Sequence, residues 1–280
     1  MPRRLLAAAV VAFGSVAAGH ALAYHEAGQE WVNATAYTLR GGEFSLGIFQ
    51  WQAGVLDELT IGTFPALWAA SPFVEHAVPN GYFKLRDWLH GPLAVSLRGT
   101  ALYVDGSTLV ERYSGSDAEQ ADLLVIGGNL AASYRSQGAW SFSPELAYSY
   151  VNLAGDSTDI AVEGAAAAST LRAGFLAEWR FTRFLALHLT SRVLLYREEF
   201  SADSEFEPDD STQVRVELHE EHPAPVGAWN IVPSIALSGK HVNFSAGLGY
   251  GYGWLPVVGI VSDQPGFILN FDFFVRFQPF

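Results

Sequence analysis

Apolar and polar residues alternate one by one along much of this chain. The segment from Val242 to Trp254 sets Val242, Phe244, Ala246, Leu248, Tyr250, Tyr252 and Trp254 against Asn243, Ser245, Gly247, Gly249, Gly251 and Gly253. Near the end, Phe267, Leu269, Phe271, Phe273, Val275 and Phe277 stand against Asn270, Asp272, Arg276 and Gln278. Successive side chains of a strand point to opposite faces, so each such segment predicts a strand with one apolar and one mostly polar face. Leu171 to Phe181, Trp140 to Tyr150, Phe184 to Tyr196 and Leu93 to Tyr103 repeat the scheme. Fainter patterns predict strands at Trp31 to Leu39, Glu43 to Val55, Glu58 to Trp68, Gly81 to Leu89, Ala121 to Arg135 and Ala228 to Ser238. Pro144 and Pro233 fall inside two of these segments, where the missing N–H asks for a bulge or a shorter strand. The sum is about twelve strands, within a range of about ten to fourteen.

So many two-faced strands, with aromatic runs at the ends of their apolar faces, predict an all-β fold. The expected form is a transmembrane antiparallel up-and-down β-barrel with its apolar parity in lipid. Glycine on the other face of Val242 to Trp254 is expected to leave room inside. The gaps between strands sort by length. Short turns at His90-Gly91-Pro92, Ser136-Gln137-Gly138, Thr182-Arg183 and Gly239-Lys240 alternate with long gaps at 69–80, 105–120, 152–169, 201–227 and 255–266. With both ends of the barrel on the short-turn side, every long gap falls on the opposite side, and Arg40-Gly41-Gly42 becomes the one short connection there. A soluble sandwich has no reason to sort its loops this way, whereas membrane barrels do.

The beginning of the chain has a different character. Arg3 and Arg4 precede an apolar run from Leu5 to Phe13, and Ala21-Leu22-Ala23 stands just before Tyr24. This is the layout of a secretory signal peptide over residues 1–23, leaving a barrel domain over 24–280. The formal charge of −13 becomes about −15 without the leader's two arginines. So acidic an exported chain is a poor candidate for nucleic-acid binding. The absence of cysteine excludes a disulfide framework, a thiolate metal site and a lipid-attachment cysteine. No later run of 18 or more apolar residues predicts a helical membrane span.

Together these features resemble the outer-membrane β-barrel proteins of Gram-negative bacteria. The leader, the alternating strands across Trp31 to Phe280 and the terminal aromatic carry the likeness, which covers nearly all of the mature chain. The stretches TAYTLRGGEFSLGIFQ, GVLDELTIGT and NGYFKLR are similar to the opening of uncharacterised barrels of this class. The resemblance implies an outer-membrane location, insertion by the barrel-assembly machinery and contact with lipid and lipopolysaccharide. It implies no activity and no cofactor. In one respect the chain departs from the class: Phe273, Val275 and Phe277 are out of phase with Phe280, and Pro279 intervenes.

If the apolar parity faces lipid, the other parity lines the lumen. That assigns Lys84, Arg86, Arg98, Arg135, Arg172, Arg180, Arg192 and Arg276 inward, with Glu145, Glu178, Asp272 and His188. Eight bases against three acids predict a lumen that favours anions, as rings of basic side chains do in pores. The competing expectation is a network of ion pairs that fills a narrow barrel, since twelve strands lie between filled eight-stranded barrels and open porins. The function expected is therefore a narrow pore or transport barrel for small, anionic solutes. The alternative is a non-conducting structural or adhesive envelope barrel.

The acidic stretch 201–227 holds Asp203, Glu205, Glu207, Asp209, Asp210, Glu217, Glu220 and Glu221, with His219 and His222. Its spacing matches no EF-hand loop, and its two histidines stand three apart rather than the four of HExxH. It reads as a solvated external loop. Barrel lipases supply a minor alternative, an enzyme built on a His–Ser pair at the lipid-facing rim. The segment His188-Leu189-Thr190-Ser191 does not supply that pair, and its phase turns His188 inward. No catalytic residue, metal site or cofactor site is expected. Period-two glycines within a strand are no nucleotide fingerprint, which opens a helix.

Overall fold

The computed structural model describes residues 31–68, 78–90, 92–105, 118–136, 138–157, 162–198, 201–206, 214–219, 224–239, 241–254 and 261–279. The expected leader lies outside them. Among the described residues no helix is long and apolar enough to cross a membrane. The chain folds as strands: β1 (Phe44–Gly47), β2 (Trp51–Gly54), β3 (Leu59–Thr63), a single helical turn α1 (Pro65–Trp68), β4 (Asn80–His90), β5 (Leu93–Asp105), β6 (Ala118–Arg135), β7 (Trp140–Ser157), β8 (Val162–Arg180), β9 (Leu185–Arg197), β10 (Ser201–Phe206), β11 (Val214–His219), β12 (Trp229–Ser238), β13 (Val242–Trp254) and β14 (Val261–Phe277). Every pairing is antiparallel, and β1 pairs with β14. Because β9 pairs with both β8 and β12, the ring closes through twelve strands, β1 to β9 and β12 to β14. Closure removes the sheet edges that lipid could not hydrogen-bond.

The count of twelve stands, but two errors in the sequence reading cancel within it. Trp31 to Leu39 is not a strand; it forms turns and irregular backbone inside the ring. Glu43 to Val55 is not one strand but a hairpin, β1–β2, bent at 48–50. The turn at Arg40-Gly41-Gly42 consequently lies at the short-turn rim rather than opposite it. Glu43 N donates to Arg40 O at 2.9 Å, and Gly42 takes φ +78°, the left-handed position of a type II turn. Glu58 to Trp68 contributes β3 and then α1. β14 ends at Phe277, whose ring stacks on Phe44 of its register partner at 5.8 Å, so the phase slip before Phe280 falls after the strand.

The long gaps hold more strand than expected. β7 runs on to Ser157 and β8 starts at Val162, while β6 and β14 begin at Ala118 and Val261. Residues 201–227 contain a hairpin, β10–β11. β10 pairs with β8 beyond the end of β9, since Thr170 faces Arg197 and Ala167 faces Ser201. It therefore continues the line of β9 and raises the wall on that side. Strands of 18, 18 and 19 residues in β6, β7 and β8 outreach the 4 residues each of β1 and β2. At about 3.3 Å per residue the tall side spans about 60 Å along the strand and the low side about 13 Å.

The outer face has the make-up lipid requires. Tyr134, Trp140, Phe142 and Phe184 are exposed near the short-turn rim. Trp140 stacks on Trp179 with ring centroids 4.9 Å apart and planes 6° from parallel. Toward the loop rim, Tyr148, Tyr196, Trp229 and Tyr250 are exposed, with Leu130, Leu146, Ile235 and Leu248 on the same face. Trp140 and Tyr148 are eight residues apart, about 26 Å along the strand, close to the height of a bilayer's apolar band.

The glycines of β13 serve a purpose other than lumen space. A Cβ on Gly247 would stand 2.3 Å from Pro233 O, and one on Gly249 2.3 Å from Ile231 O. They let β12, with its proline, approach β13 closely. Pro144 and Pro233 both lie in interior strands, and no register shift is recorded at either.

Candidate functional site

The lumen has two storeys. Residues 31–43 cross the storey near the short-turn rim and meet most of its wall. Trp31 packs against Leu176, Ala186, Ala236 and Phe274, and Ala36 and Tyr37 against Ala94 and Ala131. Over residues 31–39 the backbone of this plug is bonded by wall side chains instead of strand pairing. Ser133 Oγ accepts from Ala36 N at 2.7 Å, and Thr60 Oγ1 accepts from Leu39 N at 2.8 Å. Thr38 Oγ1 donates to Asp57 O at 2.6 Å, and Asn33 Nδ2 donates to Asp272 Oδ2 at 2.9 Å. Lys84 is buried, and its ammonium donates to Val32 O at 2.7 Å and Thr35 O at 2.5 Å. Two carbonyls thus replace the water that the charge has lost.

Ion pairs complete this storey. Glu178 accepts from Arg180 Nε at 2.7 Å and bonds His188 Nε2 at 2.9 Å, with all three side chains buried. The His188 ring meets the edge of Trp31 at 5.0 Å. Arg276 donates from Nε and Nη2 to the two oxygens of Glu43 at 2.9 and 3.1 Å, tying the end of the plug to β14. Arg86 Nη2 donates to Asp57 O at 2.8 Å. Arg135 is half-buried at the same end, paired in register with Ser141.

Above the plug the chemistry changes. Arg98, Asn129 and Arg172 share one line of register across β5 to β8, and Glu145, Gly174 and Arg192 share the next line toward the plug. Glu145 accepts from Asn129 Nδ2 at 2.8 Å and pairs with Arg192 Nε at 3.5 Å. Gly174 between them allows this reach, since a Cβ there would stand 3.0 Å from Glu145 Oε1 and 3.1 Å from Ser191 O. Arg98 and Arg172 are placed differently. The Arg98 guanidinium lies 3.9 Å from the ring centroid of Tyr82 and 5.7 Å from that of Phe64. Arg172 lies 5.9 Å from the ring of Trp254. The Nε atoms of Arg98 and Arg172, the Thr170 hydroxyl and Trp254 Nε1 are buried without a hydrogen-bond partner among the described residues.

Toward the loop rim this polar ring gives way to apolar side chains. Val78, Leu102 and Val125 pack with Leu67, Val104, Leu123 and Val151 on one side, and Leu194, Ala224, Ala228 and Val261 with Tyr252 and Trp254 on the other.

Tyr252 and Trp254 correct the sequence reading. Gly251 takes φ +130° and the register slips between Tyr252 and Trp254, and both rings pack on the inner cluster instead of the expected lipid face. Trp31, Asn33 and Glu43 of the plug, and Tyr82, Asn129, Thr170 and Trp254 above it, were not among the expected site residues. Among the described residues no cluster of His, Cys, Asp or Glu gathers to hold a metal ion. The acidic candidates of 203–222 fall outside the described side chains.

No family model matches the chain, and no curated protein matches it in sequence. Among solved structures, one titled CymD monoaromatic hydrocarbon channel is similar at a TM-score of 0.34 and 9% identity, over 84% of this chain and 86% of that chain. At that distance the β-barrel fold rests on the strand pairings described above.

Proposed function

We propose that this chain is an outer-membrane transport barrel for small solutes, stoppered by its own N-terminal segment. The short-turn rim and the plug face the periplasm, and the tall loop rim faces outside. One observation carries the reading: residues 31–39 fill the lower lumen without pairing as a strand. Side-chain hydrogen bonds and one lysine hold them, and these can be exchanged one at a time. A barrel meant only to be solid has no need of a detachable filling. In this reading the solute enters from outside, waits above the plug and passes when the plug moves. The barrel carries its solute and does not convert it. The bonding of His188 to Glu178 and Trp31, away from lipid, supports that view. Lipopolysaccharide surrounds the loop rim, and the assembly machinery inserts the barrel.

The chain has no cysteine, so a disulfide clamp can be read cleanly. In the double variant Ala36→Cys/Ser133→Cys, oxidation pins the plug to β6. Solute uptake into proteoliposomes is expected to fall at least tenfold when the clamp is oxidised and to return on reduction. Uptake that ignores the clamp would sink the reading. A second reading, an adhesive envelope barrel, is favoured by the β10–β11 hairpin that extends the wall beyond β9. Deleting 201–227 would then abolish surface binding and leave the barrel folded.

A further inference from the structure

The storey above the plug contains donors in excess. Among the described residues three arginines, Arg98, Arg172 and Arg192, face one carboxylate, Glu145, which is already engaged by Asn129 and Arg192. The nearby charge of Lys84 is turned down onto the plug carbonyls. Arg98 and Arg172 are half-buried, and neither makes an ion pair within 4.0 Å among the described residues. A guanidinium partly withdrawn from water is best met by a charged acceptor, whose hydrogen bonds are the strong ones. What they lack is an acceptor with several lone pairs and a negative charge.

We infer that this storey is a binding site for a small monoanionic amphipath: an oxyanion group, such as a carboxylate, on a flat apolar body. The oxyanion takes the charge of the two half-buried guanidinium groups, Arg98 and Arg172. Arginine matches this geometry because its planar fork can meet two oxygens at once. The body lies beside the rings of Tyr82 and Trp254, which flank the two guanidinium groups. The two arginines already rest against the aromatic rings, so the site stays organised while empty. The apolar side chains exclude strongly hydrated anions such as chloride, which gain nothing from them. The inference rests on the transport reading and names the class of its solute.

Benzoate, benzyl alcohol and acetate separate charge from body. Calorimetric titration of the purified barrel in detergent is expected to register benzoate, with benzyl alcohol and acetate each at least tenfold weaker. Arg172→Gln and Arg98→Gln should each weaken benzoate at least tenfold and leave benzyl alcohol unchanged. Arg135→Gln, at the other end of the lumen, should change neither. Equal binding of benzoate and benzyl alcohol by the unaltered protein overturns the inference, whether or not the variants fold. So does benzoate binding that persists unchanged in a folded Arg172→Gln barrel. Uptake of benzoate into proteoliposomes keeps the two claims apart. Binding without uptake overturns the transport reading and leaves the site. Uptake with no preference for the anion overturns the site and leaves transport.

Discussion

The two storeys of the lumen are lined by the same residue types but solve opposite problems. Near the short-turn rim, the buried charges Lys84, Glu178, Arg180 and Arg276 each meet an acceptor or an opposite charge within 3.1 Å. Above the plug, Arg98 and Arg172 are half-buried, meet aromatic rings and make no ion pair among the described residues. A buried polar network is stable only when each member is satisfied. The lower storey therefore pairs these four charges within the protein, whereas Arg98 and Arg172 leave theirs to an occupant or water. This difference teaches that inward charge alone does not make a pore. Register decides whether a charge is spent on structure or left for a ligand.

Mutations can break this contrast, and the largest expected effect is in the lower storey. Glu178→Gln leaves Arg180 and His188 buried without their carboxylate and should cost about 3–5 kcal/mol. Heat-modified gel migration should then convert at a clearly lower temperature. Arg172→Gln removes a charge with no close partner, and its conversion temperature should match a change of less than about 1 kcal/mol. Similar losses in both variants would erase the distinction between storeys. A somewhat smaller effect tests what is outside. Leu248→Arg puts a cation on the lipid-facing side of β13 and should cost about 2–4 kcal/mol in bilayer refolding titrations, depending on depth. Gly249→Val should follow, at about 1–3 kcal/mol, because its side chain would press on Ile231 O and force β12 away from β13. The smallest change in stability but a visible change in transport is expected from Lys84→Met. It removes the bonds to Val32 O and Thr35 O and a buried charge together, so the barrel stays folded while uptake rises several-fold.

Much of the barrel was legible in sequence because the pleat forces a period of two wherever one face meets lipid. Val242 to Trp254 was bounded to the residue, and Trp140, Leu93 and Val242 mark true strand starts. The plug was not legible. An apolar residue turned to lipid and one turned to a filled lumen carry the same signal, so Trp31 to Leu39 read as wall. One clue was present: Phe274 sits on the inward parity of an otherwise polar face, and its partner is Trp31 at 5.0 Å. Leu102 and Val125 on inward positions likewise marked the apolar mouth. The pairing of the lumen charges was hidden for another reason. Glu43 finds Arg276 across the barrel's closing seam, and such a contact depends on register that no local pattern encodes. Tyr252 and Trp254 were misplaced because the backbone turns at Gly251, with φ +130°, and an irregular register follows it, which re-aims side chains without altering composition.

The most direct test of the stoppered lumen is single-channel conductance in a planar bilayer, comparing the intact barrel with one lacking residues 31–39. The intact barrel should be almost silent, with brief openings, and the shortened one should hold a steady conductance at least tenfold larger. Equal conductance in the two, or a shortened barrel that is folded and silent, would contradict the account.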